Sequence, residues 1–270
     1  MMSTLPDGVD RKSITEVYFH PSSSKTTDTN LGTEESPVYF ELNGTTVNYY
    51  TPKESFNLKN VTSHMFCNWE SLAKVDFTGV DTYESTDFSY FFGECHNLKE
   101  LNAECLNTSN AINFGAMFHF CKKLEVLDLS DFNTEHIVDM RGMFDGCRNL
   151  RELNLCSFDT RRCKDMAGIF NNCCSLQKLD LANFDMSPVN DIGYMCNNIA
   201  IKRKQCVVRA SDLTWNKMCD DDSRMPWASM NYFIKRIAPN EEFPALEDKF
   251  AGFYKSTDYS RDCREMLKPS

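Results

Sequence analysis

The 270-residue chain lacks the features that would place it in a membrane or on a nucleic acid. Its apolar runs are short, and none approaches the roughly 18 apolar residues of a membrane-spanning helix. Basic residues are in deficit, because 29 Lys and Arg stand against 39 Asp and Glu, for a net charge of −10. A nucleic-acid partner would require basic patches that displace counterions from its phosphates. We therefore expect neither membrane insertion nor nucleic-acid binding.

The chain also lacks the short motifs that carry catalysis or hold a cofactor. It contains no phosphate-binding loop, dinucleotide fingerprint, nucleophile elbow or zinc-protease motif. Its 13 cysteines include no Cys-x-x-Cys pair, the spacing that metal sites favour. The five histidines follow no fixed spacing, so no Cys–His nucleophilic pair is indicated. We expect no catalytic residues, no cofactor and no metal.

One pattern does repeat, between Met65 and Cys196, with a fixed 26-residue period. We call each 26-residue unit a coil and each set of equivalent positions a column. One column holds phenylalanine at Phe66, Phe92, Phe118, Phe144 and Phe170. Others hold cysteine at Cys95, Cys121, Cys147 and Cys173, and leucine at Leu72, Leu98, Leu124, Leu150 and Leu176. A fixed period of roughly 20–50 residues is typical of a solenoid.

Within one coil, the residue pattern changes from strand to helix. Leu127, Asp128 and Leu129 alternate in polarity, which indicates a strand with one buried face. The pair Asn133-Thr134 can cap a helical turn. Apolar residues then recur at spacings of three and four, which is a helical stripe: Ile137, Met140, Met143, Phe144 and Cys147. We therefore predict an α/β fold, a right-handed solenoid of about five coils with parallel strands on one face and short helices on the other.

The most regular coil, "FCKKLEVLDLSDFNTEHIVDMRGMF", resembles the 26-residue repeat of the BspA-like leucine-rich repeat surface proteins of bacteria. The resemblance covers about half of the chain, with departures at Trp69, Ala103, Met186 and Cys196. It implies a leucine-rich-repeat-like fold and a surface or secreted protein that functions in adhesion or host interaction. The chain opens without a basic stretch followed by an apolar run, so we expect no signal peptide in it, and a cytoplasmic location is the alternative.

The segments on either side of the repeat are expected to cap it, because a bare solenoid end exposes core. We divide the chain into an N-terminal segment with a β-hairpin cap (1–55), the solenoid (56–205) and a helical C-terminal cap (206–270). The hairpin is predicted around Asn43-Gly44, a dipeptide that favours tight turns. "FNLKNVTSHMF" is interpreted as a leading coil two residues shorter than the others. Helices are predicted at 211–219, 227–237 and 241–254, after a strand within 204–210.

The polar strand positions are the candidate binding face. They alternate with the buried leucines and so are expected to face solvent in register on the concave side. This candidate face consists of Asp76, Asn102, Asp128, Asn154 and Asp180, with Lys99, Glu125, Arg151 and Lys178 beside them. The alternative is a structural role, in which Asn relieves crowding between aspartates and hydrogen-bonds across strands. Because the neighbouring charges have both signs, a protein is favoured over a metal ion as partner.

These patterns support a non-enzymatic repeat scaffold that binds a protein or a glycan. An intracellular interaction or effector module is the alternative, motivated by cysteines that the repeat assigns to packing and hence to free thiols instead of disulfides. An enzyme with its site between the last coil and residues 206–255 is a third hypothesis, since fold does not determine function.

Overall fold

The computed structural model describes residues 5–31, 34, 37–58, 62–199, 206–220 and 234–243. These residues form a β-solenoid of about seven coils, with mostly parallel strands and few helices. None of the helices in these ranges is long and apolar enough to cross a membrane.

The strands are short, as expected where each coil contributes one rung to a ladder. They are β1 (Glu16–His20), β2 (Thr29–Asn30), β3 (Tyr39–Asn43), β4 (Thr46–Tyr50), β5 (Phe56–Asn57), β6 (Lys74–Asp76), β7 (Val80–Asp81), β8 (Glu100–Leu101), β9 (Val126–Asp128), β10 (Glu152–Asn154), β11 (Lys178–Leu181), β12 (Cys206–Ala210) and β13 (Ile234–Ile237). The described helices are α1 (Asp212–Asp220) and the short 3-10 helices Arg11–Ser13 and Ala103–Cys105.

Strands of neighbouring coils pair in parallel at the period of the repeat in two places, β6 with β8 and β9 with β10. Leu127 of β9 aligns with Leu153 of β10, one full period further along the chain. After β11 the offset grows, because Lys178 aligns with Val207 of β12, three residues beyond one period. The offset between β12 and β13 is also longer than the period, by two residues. The prediction of a parallel repeat solenoid is confirmed, but that of about five coils is wrong, since these irregular coils escape a 26-residue count.

Opposite the strands, each coil is built of consecutive tight turns. The prediction of a short helix there is wrong. Backbone amides in these turns alternate between donating to the next coil and donating within their own coil. The N–H of Phe118 donates to the carbonyl of Met143 in the next coil (2.9 Å). The N–H of Cys121 instead donates three residues back, to the carbonyl of Phe118 (3.1 Å). An α-helix needs every amide to bond four residues back, so this alternation excludes it.

Two columns in these turns adopt left-handed backbone conformations, which interrupt any right-handed helix. The first column consists of His64, Tyr90, Ala116, Gly142, Gly168 and Tyr194. The second consists of Asn68, Glu94, Phe120, Gly146, Asn172 and Asn198. The apolar spacing of three and four residues that suggested a helix is therefore produced by successive turns, each of which returns one side chain to the core.

The core is organised around the phenylalanine column, whose five members stack in a single file. Consecutive ring centroids lie 5.6–5.9 Å apart, and the ring planes are within 12° of parallel. All five rings are buried. Stacking coils therefore buries surface that no single coil could bury, at roughly 1.5–3 kcal/mol of favourable free energy per large apolar side chain.

Two columns of small side chains hydrogen-bond inside the solenoid. Each column cysteine donates its S–H to the phenylalanine carbonyl of the preceding coil, as Cys121 does to Phe92 (3.3 Å). The second column holds threonines at Thr82, Thr108, Thr134 and Thr160. The Thr134 hydroxyl donates to the carbonyl of Asp159 (3.0 Å) and accepts from the amide of the same residue (2.6 Å). These columns satisfy buried backbone groups between coils.

At the N-terminal end, the sheet order is β2-β3-β4-β1-β6-β8. The predicted hairpin forms from β3 and β4, and β1 lies between it and the first regular coil. Its turn is at Gly44-Thr45, one residue later than predicted, because Asn43 pairs with Thr46. Gly44 has φ of 63°, which suits the first central position of a type II′ turn. The shortened leading coil is confirmed, since Phe56 aligns with Val80, two residues short of one period.

At the C-terminal end, the helical cap is only partly present. The predicted strand is β12, and the predicted first helix is α1, where the Ser211 hydroxyl accepts the amide of Thr214 as an N-cap does (3.1 Å). The helix predicted at 227–237 is wrong at its end, because Ile234–Ile237 is strand β13. The open edge of β12 offers backbone partners that override helical spacing. Residues 221–233 and most of the helix predicted at 241–254 lie outside the described residues.

Candidate functional site

The candidate binding face is formed by the outward side chains of the strand ladder. Inward residues such as Leu153 and Leu179 enter the core, so their neighbours face outward. Asp128 and Asn154 align directly across β9 and β10. The amide of Asn154 donates to the Asp128 carboxylate (2.9 Å), which confirms the cross-strand contact expected of the alternating Asp and Asn.

Most residues of this column also have a local structural role. The side-chain oxygens of Asp76, Asp128, Asn154 and Asp180 each accept the backbone amide two residues later. These Asx turns end the strand and redirect the chain. Asn102 differs, because its side chain makes no capping hydrogen bond to the 3-10 helix that follows. The residue type in the column is thus explained by the turn, whatever the face binds.

Burial divides the face into two halves. In the exposed half, Asn102, Lys99 and Glu125 are exposed, while Asp76 and Asp128 are half-buried. In the covered half, Asn154 is only 1% exposed and Lys178 only 3%. Arg151 and Asp180 also lie there, with side chains 16% exposed. The expectation that Asn154 and Lys178 face solvent is therefore wrong.

The exposed half carries charges of both signs. The Lys74 ammonium lies 3.2 Å from the Glu100 carboxylate, across β6 and β8. Glu125 pairs with Arg151 at the boundary of the covered half. Hydrogen bonds from the hydroxyl and amide of Thr78 lower the pKa of Asp76, so this carboxylate stays ionised. The result is a broad polar surface of mixed charge.

The covered half contains a buried ion pair. The Arg209 guanidinium, 1% exposed, donates through Nε to the Asp180 carboxylate (3.0 Å) and through Nη2 to its second oxygen. Bidentate pairing of this kind offsets part of the desolvation cost of the two charges. Burial lowers the pKa of Lys178 to about 8, opposed by the nearby Glu152. Phe243 lies against both Lys178 and Arg209 at the predicted junction with the C-terminal segment.

The structure brings together a polar cluster that the sequence did not indicate. Glu94 lies 2.8 Å from Nε2 of His96 and 3.4 Å from Nδ1 of His119, and Nε2 of His119 lies 3.6 Å from Asp145. The buried Nδ1 of His119 makes no hydrogen bond within the described structure. The sequence did contain a signal for the contact between His119 and Asp145, because these two residues are one 26-residue period apart and so occupy equivalent positions in neighbouring coils. Among the described side chains, no group is arranged to hold a metal ion.

Two further Asp/Asn columns were also missed, although their 26-residue spacing is visible in the sequence. One holds Asp81, Asn107, Asn133, Asp159 and Asp185. The other holds Asp87, Asn113, Asp139, Asp165 and Asp191, which also pair as isolated β-bridges between coils. Each accepts the amide two residues later, so every complete regular coil has Asx turns at more than one corner. The predicted helix cap Asn133 is one of these turns.

A shallow depression of about 270 Å³ lies beside the Asp159 column. Glu135, Asp159, Arg161 and Arg162 line it. Arg161 pairs with Asp159 (2.5 Å), and Arg162 contacts the His136 ring nitrogen (3.1 Å). Because its two acidic and two basic side chains balance, the depression has no marked preference for an anion or a cation.

The four column cysteines are buried free thiols, as expected from their packing position. Burial raises the pKa of each of them, so they are protonated at neutral pH. Cys156, outside this column, is disulfide-bonded. A thiol reacts as the thiolate, so the column cysteines are suited to packing and not to nucleophilic chemistry.

Comparison with known families gives one match. The family model described as "Mycoplasma protein of unknown function, DUF285" matches residues 40–127 and again residues 114–206. Together these matches span the hairpin, the regular coils and the start of β12. No curated protein and no solved structure matches the chain significantly.

Proposed function

This chain belongs to the DUF285 family, described as Mycoplasma proteins of unknown function, and we propose that it is a non-enzymatic repeat scaffold that binds another protein. The observation that carries the proposal is the exposed half of the strand face. There, the outward side chains of β6 and β8 stand in register, and those of β9 follow one coil further along the chain. A preformed surface of this kind binds without a large ordering cost.

A protein partner is favoured over a glycan by the charges of this surface. Lys74 and Lys99 stand beside Glu100 and Glu125, and the surface they form is broad instead of enclosed. Charges of both signs arranged on a rigid surface select a partner by complementary charge and fix its register. A glycan would be held mainly by hydrogen bonds from polar and aromatic side chains, which makes it the second choice.

The proposed setting is the bacterial cell surface or the secreted fraction, where the protein would act in adhesion or host interaction. The resemblance of the repeat to BspA-like leucine-rich repeat proteins supports this setting. A second setting is an intracellular interaction or effector module, and the buried free thiols of the cysteine column favour it. Fractionation of the native organism, with immunodetection of the protein, separates the two.

Exchanging two adjacent charges tests the binding face. The double variant Lys99→Glu, Glu100→Lys leaves the net charge unchanged but reverses the pattern on the exposed half. We expect capture of partner proteins on the immobilised chain to fall at least tenfold, because like charges then meet across the interface. Stability should change by less than about 1 kcal/mol, since Lys74–Glu100 is an exposed ion pair.

The matched control is Glu135→Lys, Lys164→Glu, a net-neutral exchange of exposed residues on another side of the coils. It should capture the same proteins as the unaltered chain. Equal capture by both double variants would remove the exposed half of the strand face as the binding site.

A further inference from the structure

After β13 the chain turns back and crosses the outward side of the strand ladder. The amide of Glu241 donates to the carbonyl of Ala238 (3.0 Å), and the Glu241 carboxylate accepts the Ala238 amide (2.9 Å), which closes the turn. The main-chain carbonyl of Glu241 then accepts from Nη1 of Arg209 (3.4 Å). We call residues 238–243 the strap. It ends at Phe243, which is fully buried on the covered half of the face.

The Phe243 ring lies against two buried cations. The guanidinium carbon of Arg209 is 4.8 Å from the ring centroid, and the Lys178 ammonium nitrogen is 5.5 Å from it. Cations at such distances are attracted to the ring face, more strongly when desolvated. The bidentate contact with Asp180 fixes the position of the Arg209 guanidinium beneath the ring. The arrangement selects an aromatic ring over an aliphatic side chain of similar size.

The strap is attached to the solenoid separately from the main core. Phe243 forms a small cluster with Val207 of β12 and Ile237 of β13, and this cluster is distinct from the continuous core of the coils. Both Glu241 and Glu242 are exposed. Among the described residues, withdrawing the strap therefore separates the Phe243 ring from this cluster and from the two cations and leaves the core of the coils closed. A segment attached outside the main core can open at lower free energy than the fold as a whole.

We propose that Lys178 and Arg209 form a binding site for an aromatic side chain of a partner protein, occupied in this structure by the chain's own Phe243. The inference rests on the proposed protein-binding function and adds the chemistry of the ligand. The ligand is an extended segment with a Phe, Tyr or Trp side chain and a main-chain carbonyl two residues before it. The site adjoins the exposed half of the face, so one partner can contact both.

Self-occupancy makes a quantitative prediction. A tethered segment competes at an effective concentration on the order of millimolar, so an external ligand binds the intact chain much more weakly than a chain with the ring removed. The full-length variant Phe243→Ala removes the ring and leaves the two cations. Phe243→Tyr is the matched control, because it keeps the site filled.

The probe is a capped synthetic peptide with the sequence of residues 238–243, Ala-Pro-Asn-Glu-Glu-Phe, measured by saturation-transfer NMR. We expect it to bind Phe243→Ala at least tenfold more tightly than it binds the unaltered chain or Phe243→Tyr. The same peptide with Ala in place of Phe should not bind. Equal signals from the two peptides on a folded Phe243→Ala chain would overturn the proposal.

Hydrogen exchange on the unaltered chain provides a test that does not depend on the folding of a variant. Strap amides should exchange at least tenfold faster than amides of β9 and β10 when measured by mass spectrometry. Exchange of the strap only by global unfolding would overturn the inference. Neither measurement uses a captured partner, so failure of the strap site and failure of the exposed face are distinguishable.

Discussion

Raising the pH from 7 to 10 is expected to unfold this solenoid, because its core contains thiols that can ionise only after unfolding. Among the described residues, seven buried cysteines have a pKa that burial raises above the ordinary value of 9.0. They are Cys95, Cys121, Cys147, Cys163, Cys173, Cys196 and Cys206. A group whose folded pKa is raised contributes stability that is complete below its unfolded pKa and is lost above it. The loss should therefore begin near pH 9.

The magnitude follows from linkage. At pH 10, a thiol with an unfolded pKa of about 9 favours the unfolded state by about 1.4 kcal/mol if it stays protonated when folded. Seven thiols sum to about 10 kcal/mol, which is comparable to the roughly 5–15 kcal/mol that stabilises most domains. Lys178 acts in the opposite direction, because its lowered pKa makes stability rise above pH 8. One lysine contributes at most about 2.5 kcal/mol, and less with solvent screening, so the thiols dominate.

Urea unfolding followed by circular dichroism at half-unit steps from pH 7 to pH 10 measures this effect, with the chain fully reduced beforehand so that the Cys156 disulfide is open at every pH. A single-thiol variant gives an internal check. The free energy of unfolding of Cys121→Ala should be lower than that of the unaltered chain at pH 7, and this difference should shrink by about 1.4 kcal/mol at pH 10. The control Val75→Ala removes buried volume without a titrating group, so its deficit should stay constant. A free energy of unfolding at pH 10 within about 2 kcal/mol of the pH 7 value would refute the reasoning.

Two further predictions concern the turns and the ladders. Gly146→Ala should destabilise the chain by at least about 2 kcal/mol, because a Cβ there lies 2.4 Å from the Phe120 ring and φ is 76°. The control is Gly142→Ala, whose Cβ meets nothing nearer than 3.9 Å. It should cost only about 1 kcal/mol of backbone strain. Equal losses in thermal unfolding would contradict the close contact. Thr134→Val should lower the free energy of unfolding by roughly 2–3 kcal/mol, because two backbone groups of Asp159 lose a buried partner. Thr134→Ser keeps the hydroxyl and should retain most of that stability. Matching denaturation midpoints for the two variants would show that the hydroxyl contributes nothing.

The stacking of the coils could be predicted from the sequence because repetition carries the register. Once Phe118 and Phe144 occupy equivalent positions, every other column aligns with them, and the observed single file of rings follows. The leading coil was also visible, since Phe56 and Val80 keep their relation despite two missing residues. Coils joined by other spacings, such as the one that contains β12, could not be counted from a period.

The turns were mistaken for helices for a physical reason. A spacing of three and four residues, as between Met140, Met143 and Phe144, states how often side chains return to one side. It does not state where the amides point. The available signal was the recurrence of Gly and Asn at the left-handed columns, at Gly142, Gly146 and Asn172. That signal was weak, because Tyr90 and Phe120 occupy the same columns.

The candidate face was predicted in position but not in accessibility. Alternation along β10 and β11 placed Asn154 and Lys178 on the outward side. Whether an outward side chain is exposed to solvent depends on segments outside the repeat that can cover it. Phe243 covers Lys178, although the two residues are distant in sequence. No periodicity reports such a contact. The bidentate contact of Arg209 with Asp180 was hidden for the same reason, because the coil that contains Arg209 departs from the 26-residue pattern.

The alternating direction of the amides has a consequence for how such a chain can change in length. Because each coil bonds only to the coils before and after it, a duplicated or deleted 26-residue block would rejoin matching partners and alter the height of the stack by a single rung, roughly 4.8 Å. An added or missing single residue would instead shift every ladder beyond it at once. Genes for proteins of this construction should therefore tolerate gain or loss of whole blocks and resist smaller changes.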